Sequence, residues 1–273
     1  MFDDATLNDP FPGGRYETPS GRTSALASAV PTPAFYWNAF RVINTAATLA
    51  KLGKYTDKAW VTSSLGIVNA LERCGTKIII EGLGHFKKLD GPCVFIGNHM
   101  STLETFVLPG VIQPYKPVTF VVKQSLLEYP VFKHVMRARN PIAVARKNPR
   151  DDLATVMNGG CERLAAGISV IIFPQSTRNR SLDPQQFNSM GAKLARKAGV
   201  PLVPVALRSD AWGMGGIMGM FKDYGRIRPS INVNFAFGSP MTVQGNGKEE
   251  HAAVYEFIRM HLGEWGLLAP PLS

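Results

Sequence analysis

Two short segments of this sequence hold residue types whose spacing suits proton transfer and anion binding. The first, Gly97-Asn98-His99-Met100-Ser101-Thr102-Leu103-Glu104, follows the apolar run Cys93 to Ile96. A histidine where a strand gives way to a helix lies at the carboxyl edge of a sheet, where open α/β folds place their sites. Glu104, five positions on, admits two readings. It can complete a helix capping box begun by Ser101. It can also turn back and hold His99 in the tautomer whose other nitrogen accepts a proton. The second segment, Ile171-Ile172-Phe173-Pro174-Gln175-Ser176-Thr177-Arg178-Asn179-Arg180, leads an apolar strand through a proline turn into two arginines. Arginines there can pair N–H groups with phosphate oxygens, and the turn can add backbone donors. The alternative is an exposed basic loop.

The elements that must hold these residues read as α/β. Short β-branched runs recur at Lys77 to Ile80, Cys93 to Ile96, Val118 to Val122, Ile142 to Val144, Ser169 to Phe173, Leu202 to Leu207 and Ile231 to Phe237. Helix-length segments lie between several of them, at Ser101 to Leu108, Asp151 to Ala166 and Ser189 to Ala198, and a last one runs from Lys248 to Leu262. This alternation predicts a largely parallel central sheet flanked by helices. Before it, Pro33 opens an aromatic-rich helix that Gly53 can cap, and a second helix begins near Thr56-Asp57 and ends before Gly75. The expected organisation is a flexible leader over 1–32, a helical hairpin over 33–74 that can touch a membrane, and an α/β domain over 75–273. The Gly/Met-rich stretch Trp212 to Met220 reads as an apolar loop.

Composition narrows the partners. With 45% hydrophobic and 18% charged residues among 273, the chain can bury one substantial core. A net charge of +10 favours an anionic partner: nucleic acid, an anionic membrane surface or a phosphorylated substrate. No arginine-rich helix, zinc spacing or aromatic RNA-binding signature supports nucleic acid. Cys74, Cys93 and Cys161 have no paired spacing, which fits a reducing compartment, and Cys93 reads as core. The start, Met1-Phe2-Asp3-Asp4, is not a secretory signal, and no apolar run reaches the ~20 residues of a membrane span. The expected location is cytoplasmic, peripheral to the membrane.

Taken in order, the two segments resemble the glycerolipid acyltransferases that make phosphatidic acid from lysophosphatidic acid. That family carries N-H-x-S-x-x-D and, later, F-P-E-G-T-R-S-R; here the stretches read N-H-M-S-T-L-E and F-P-Q-S-T-R-N-R. Three further stretches are similar to the family's. They are Val121 to Leu127 with Pro130-Val131-Phe132, Ile142 and Arg146; Phe187 to Gly191; and Gly199 to Leu207. The resemblance covers about residues 75 to 240, and the hairpin matches a two-helix membrane-contact motif of some bacterial members. It implies acyl transfer from acyl-CoA or acyl carrier protein to the free hydroxyl of a lysophospholipid, foremost 1-acyl-sn-glycerol-3-phosphate. His99 would be the general base with Glu104 behind it. Lys123, Arg146, Thr177 and Arg178 would bind the acceptor, and no metal or cofactor is implied. Two departures stand out. Glu104 replaces the family's Asp, moving the carboxylate by a bond length, and Gln175-Ser176 replaces Glu-Gly, removing an acceptor for the glycerol or an anchor for the arginine turn. They leave two alternatives: a lipid-binding or scaffold protein of the same fold, or an acyltransferase for a different lyso-acceptor.

Overall fold

The β-branched runs form a sheet in the computed structural model, which describes residues 2–129, 132–175, 177–215 and 224–268. Among these residues the strands are β1 (Arg15–Glu17), β2 (Ile78–Glu81), β3 (Val94–Gly97), β4 (Val118–Lys123), β5 (Ile142–Val144), β6 (Ser169–Ile172), β7 (Leu202–Arg208) and β8 (Val233–Phe237). They join in the order β1-β2-β8-β7-β3-β6-β4-β5. The pairs β3–β6, β3–β7, β4–β5 and β4–β6 are parallel, and β1–β2 is antiparallel. The helices are α1 (Asp4–Asn8), α2 (Ala25–Ala29), α3 (Pro31–Lys51), α4 (Asp57–Arg73), α5 (Leu83–Lys87), α6 (Leu103–Ile112), α7 (Phe132–Ala138), α8 (Pro149–Ala165), α9 (Met190–Ala198) and α10 (Lys248–Glu264). The mixed α/β architecture with a largely parallel sheet is the expected one. Its strands β3 and β6 are buried at every position, which is why they read as unbroken apolar runs.

By contacts the chain divides into two compact units, which differ from the expected boundaries. One comprises Met1–Leu83, Met100–Tyr115 and Leu207–Phe235; the other comprises Gly84–His99, Lys116–Ala206 and Ala236–Ser273.

Within the first unit, the segment expected as a flexible leader is built into the sheet. Strand β1 pairs Arg15 with Glu81 and Glu17 with Ile79. The Tyr16 hydroxyl donates to Glu72 Oε1 at 2.5 Å, and Thr18 Oγ1 donates to the same oxygen at 2.9 Å. Glu72 is 2% exposed on α4, so these two hydroxyls satisfy a carboxylate that burial would otherwise penalise. Burial and the adjacent carboxylate push the Tyr16 phenol well above its ordinary range. Composition gave no sign of this, because the short strand is exposed, half-buried and exposed in turn. Helices α3 and α4 pack on one another. Thr56 caps α4 by accepting the Ala59 N–H at 3.3 Å, and Gly53 follows α3 with a left-handed φ of 68°. Phe35 and Tyr36 of α3 stack edge-on against Trp212, whose indole donates to the Tyr36 hydroxyl at 2.9 Å. The expected loop is thus anchored at Trp212, which is 1% exposed, while Gly216 to Met220 lie outside the described residues.

Within the second unit, β3 is flanked on both sides: Val94 pairs with Val170 of β6 and with Leu202 of β7. Helix α9 lies against β3 so closely that a Cβ at Gly191 would meet Ile96 Cδ1 at 2.7 Å. A side chain there would have to displace Ile96, so the glycine lets helix and strand approach closely at the strand that ends two residues before His99. Buried Lys116 donates through Nζ to the carbonyls of Leu89 and of Gly91, the latter at 2.7 Å, tying down the turn that leads into β3.

Candidate active site

Strand register explains why the two chemistry-bearing segments meet. Ile96 of β3 pairs in parallel with Ile172 of β6. His99 lies three residues beyond the one and Gln175 three residues beyond the other, so both leave the same edge at the same level. The His99 N–H donates to Gln175 Oε1 at 2.8 Å, and the His99 carbonyl accepts the Asn179 N–H at 2.8 Å. The imidazole is half-buried and stacks on Phe173, with ring centroids 4.5 Å apart and planes 6° from parallel. The main chain of His99 is therefore held on both sides, and its ring has a fixed face.

The expected cations occupy the same unit. Arg178 is half-buried next to Asn179, and Thr177 beside it is exposed. Arg146 is exposed, has a left-handed φ of 56°, and donates its N–H to Asp152 Oδ1 at 3.1 Å. Partial burial pushes its guanidinium down; Asp152 opposes this, and the Arg178 charge pushes it further down. Arg146 and Arg178 thus lie close enough to feel one another, an arrangement that a dianion between them would relieve. Lys123 ends β4, exposed, and pairs with Val144 of β5, two residues before Arg146.

Glu104 belongs to the first unit and is fully buried. Its Oε1 accepts the N–H of Met100 at 2.6 Å and of Ser101 at 2.9 Å. Ser101 Oγ accepts the Leu103 N–H at 3.0 Å, so Ser101 and Glu104 brace the turn into α6 as a variant of the capping box, just ahead of the helix's N-cap Thr102 and with Met100 as an additional donor. The extra methylene relative to aspartate serves this bonding, which reaches the residue directly after His99. Ser209 was missed by sequence reasoning. Its hydroxyl donates to Glu104 Oε2 at 2.5 Å, and it is fully buried. The available signal was a polar residue directly after the apolar strand β7, at the same carboxyl edge.

Four likenesses accompany this geometry. The family model described as Acyltransferase matches residues 77–208. The chain is 35% identical over 132 residues to the 1-acyl-sn-glycerol-3-phosphate acyltransferase of Pseudomonas aeruginosa, covering 48% of this chain and 49% of that protein. It is 32% identical over 142 residues to a chloroplastic 1-acyl-sn-glycerol-3-phosphate acyltransferase of Brassica napus, covering 52% of this chain and 39% of that one. The chain thus spans half or less of the length of these curated relatives. In fold it is similar to the crystal structure of the 1-acyl-sn-glycerophosphate acyltransferase PlsC from Thermotoga maritima. That match has a TM-score of 0.67 at 19% identity, over 90% of this chain and 98% of the other. The blocks that carry His99, Lys123, Arg146 and Arg178 all fall inside residues 77–208, the segment that resembles the family described as Acyltransferase.

Proposed function

We propose that this protein transfers a fatty acyl group from a thioester donor, acyl-CoA or acyl carrier protein, to the free hydroxyl of 1-acyl-sn-glycerol-3-phosphate, giving phosphatidic acid. The observation that carries the reading is the bond from Asn179 N–H to the His99 carbonyl, which sets the arginine-bearing turn beside the histidine. His99 takes the hydroxyl proton as the oxygen attacks the thioester carbonyl. The tetrahedral adduct collapses, the C–S bond breaks, and the thiolate leaves with a proton from the imidazolium. The thioester supplies the activation, so this chemistry needs no cofactor. Glu104 orients His99 through the turn that its carboxylate holds, and Arg178, Arg146 and Lys123, with Thr177, receive the acceptor's phosphate.

The acceptor lives in a bilayer, and no helix among the described residues is long and apolar enough to cross one. Helix α3 presents Trp37 and Phe40, 66% and 62% exposed, on the same element as exposed Arg41 and Lys51. This combination supports peripheral contact with an anionic membrane surface, on the cytoplasmic face. The test is a panel: purified protein, labelled acyl-CoA and several lysolipids in vesicles, with thiol release and labelled product measured. Lysophosphatidic acid should be the best acceptor, and His99→Ala should lower turnover by about a hundredfold or more. Full turnover by His99→Ala, or no transfer to any lysolipid, would overturn the proposal.

A further inference from the structure

We propose that Gln175 is a positioning residue that holds His99 and the Arg178 turn as one piece. This rests on the general-base reading of His99. Gln175 is 3% exposed, and its amide is used in both directions. Its Oε1 accepts the His99 N–H at 2.8 Å, and its Nε2 donates to the Ser181 carbonyl at 3.0 Å. A backbone N–H only donates and a carbonyl only accepts, so these partners fix the orientation of the amide. One side chain therefore joins the proton-accepting residue to the far end of the turn that carries Thr177 and Arg178.

The frame around it is consistent with that role. Asn179 returns a bond from the middle of the turn to His99. At the near end, the Pro174 carbonyl accepts from Asn188 Nδ2, and Asn188 Oδ1 accepts the Met190 N–H at 3.0 Å at the start of α9. Helix α9 is the one pressed on Ile96 through Gly191. Base, turn and supporting helix thus form a closed chain of contacts, in which the Gln175 side chain bonds both His99 and Ser181.

The residue type follows from the two partners. A glutamate here, as in the resembled family, would keep an acceptor for the His99 N–H. Its second oxygen, however, would face the Ser181 carbonyl, acceptor against acceptor, and loosen the arginine turn. It would also add a negative charge next to the histidine and favour the imidazolium. The other charged groups assigned to the site, Glu104, Lys123, Arg146 and Arg178, are common to both proteins, so a difference between them reads position 175 alone.

The experiment compares wild type with Gln175→Glu and Gln175→Leu in the full chain. Labelled-histidine NMR follows the titration of His99 without turnover, and kinetics follow the acceptor. For Gln175→Glu the His99 titration and the acid limb of kcat/KM should both move to higher pH, because the variant places a negative charge next to the histidine. The acceptor KM should rise about tenfold. Unchanged titration and KM in a folded Gln175→Glu protein would overturn the proposal. Gln175→Leu adds no charge and carries the test if the glutamate variant does not fold: a fall in kcat with a rise in acceptor KM supports the clamp, and wild-type values for both overturn it. Absence of transfer by the wild type would defeat the proposed function instead, while the NMR comparison would still decide the role of Gln175.

Discussion

Glu104 and Gln175 occupy places where the resembled family carries a different residue, both are buried, and the structure uses them in opposite ways. Glu104 is an acceptor only, surrounded by donors: two backbone N–H groups and the hydroxyls of Ser101 and Ser209. Gln175 sits between one donor and one acceptor, which a carboxylate cannot serve and an amide can. In each case the neighbours have the hydrogen-bonding sense that the residue needs. A substitution in a catalytic motif therefore has to be judged with its partners, because the same residue in the other turn would leave buried groups mismatched.

That contrast can be broken most forcefully at Glu104. In Glu104→Gln, one amide oxygen can still accept from Met100 and Ser101, and the two serine hydroxyls can rotate to accept from the amide nitrogen. The fold should survive, while on the proposed general-base reading the loss of the Glu104 charge should lower kcat by about a hundredfold to ten-thousandfold in the acyl-transfer assay. Glu104→Asp keeps the charge but shortens the reach, so its loss should be smaller, on the order of a hundredfold. Equal activity of wild type and the glutamine variant would show that Glu104 is a helix cap alone.

Ser209→Ala sharpens the comparison on the carboxylate side. It removes one hydroxyl donor to a buried carboxylate, which should cost about 1.5–3 kcal/mol of stability in urea unfolding. The smallest effect concerns a histidine that is merely packed. His251 lies 5.4 Å from the Phe187 ring, and its imidazole is pushed below 6.5 chiefly by burial, with Lys193 adding to this and a bond to the Phe187 main chain opposing it. In the window just below 6.5 the unfolded chain binds a proton that the folded chain refuses, so stability rises with pH there and is lost on acidification. His251→Phe should flatten that part of the stability profile in melts between pH 7 and about 5.

Much of the fold was legible because parallel strands with both faces covered leave near-continuous apolar runs, and β3, β6 and β7 do so. Strand β1 was not legible: it spans Arg15–Glu17, and what holds it is a buried carboxylate 56 positions away from Tyr16. The site divides along the same line. His99 and Arg178 announce themselves by residue type beside an apolar run. Gln175 looked like a loss, since its value lies in a bond to a residue 76 positions earlier that depends on β3 and β6 pairing in one register. Ser209 was invisible for the same reason, its partner being 105 positions away.

The pairing of β1 has a practical consequence for handling this protein. It covers the outer edge of β2, and cross-strand pairs such as Arg15–Glu81 at 3.3 Å and Lys77–Glu17 at 2.5 Å dress that edge with charge. Trimming the chain to begin at α3 would bare the unpaired N–H and C=O groups of Ile78–Glu81 and withdraw both hydroxyls from buried Glu72. An exposed strand edge of isoleucines is a template for edge-to-edge association, so the shortened protein should precipitate where the full chain stays dispersed.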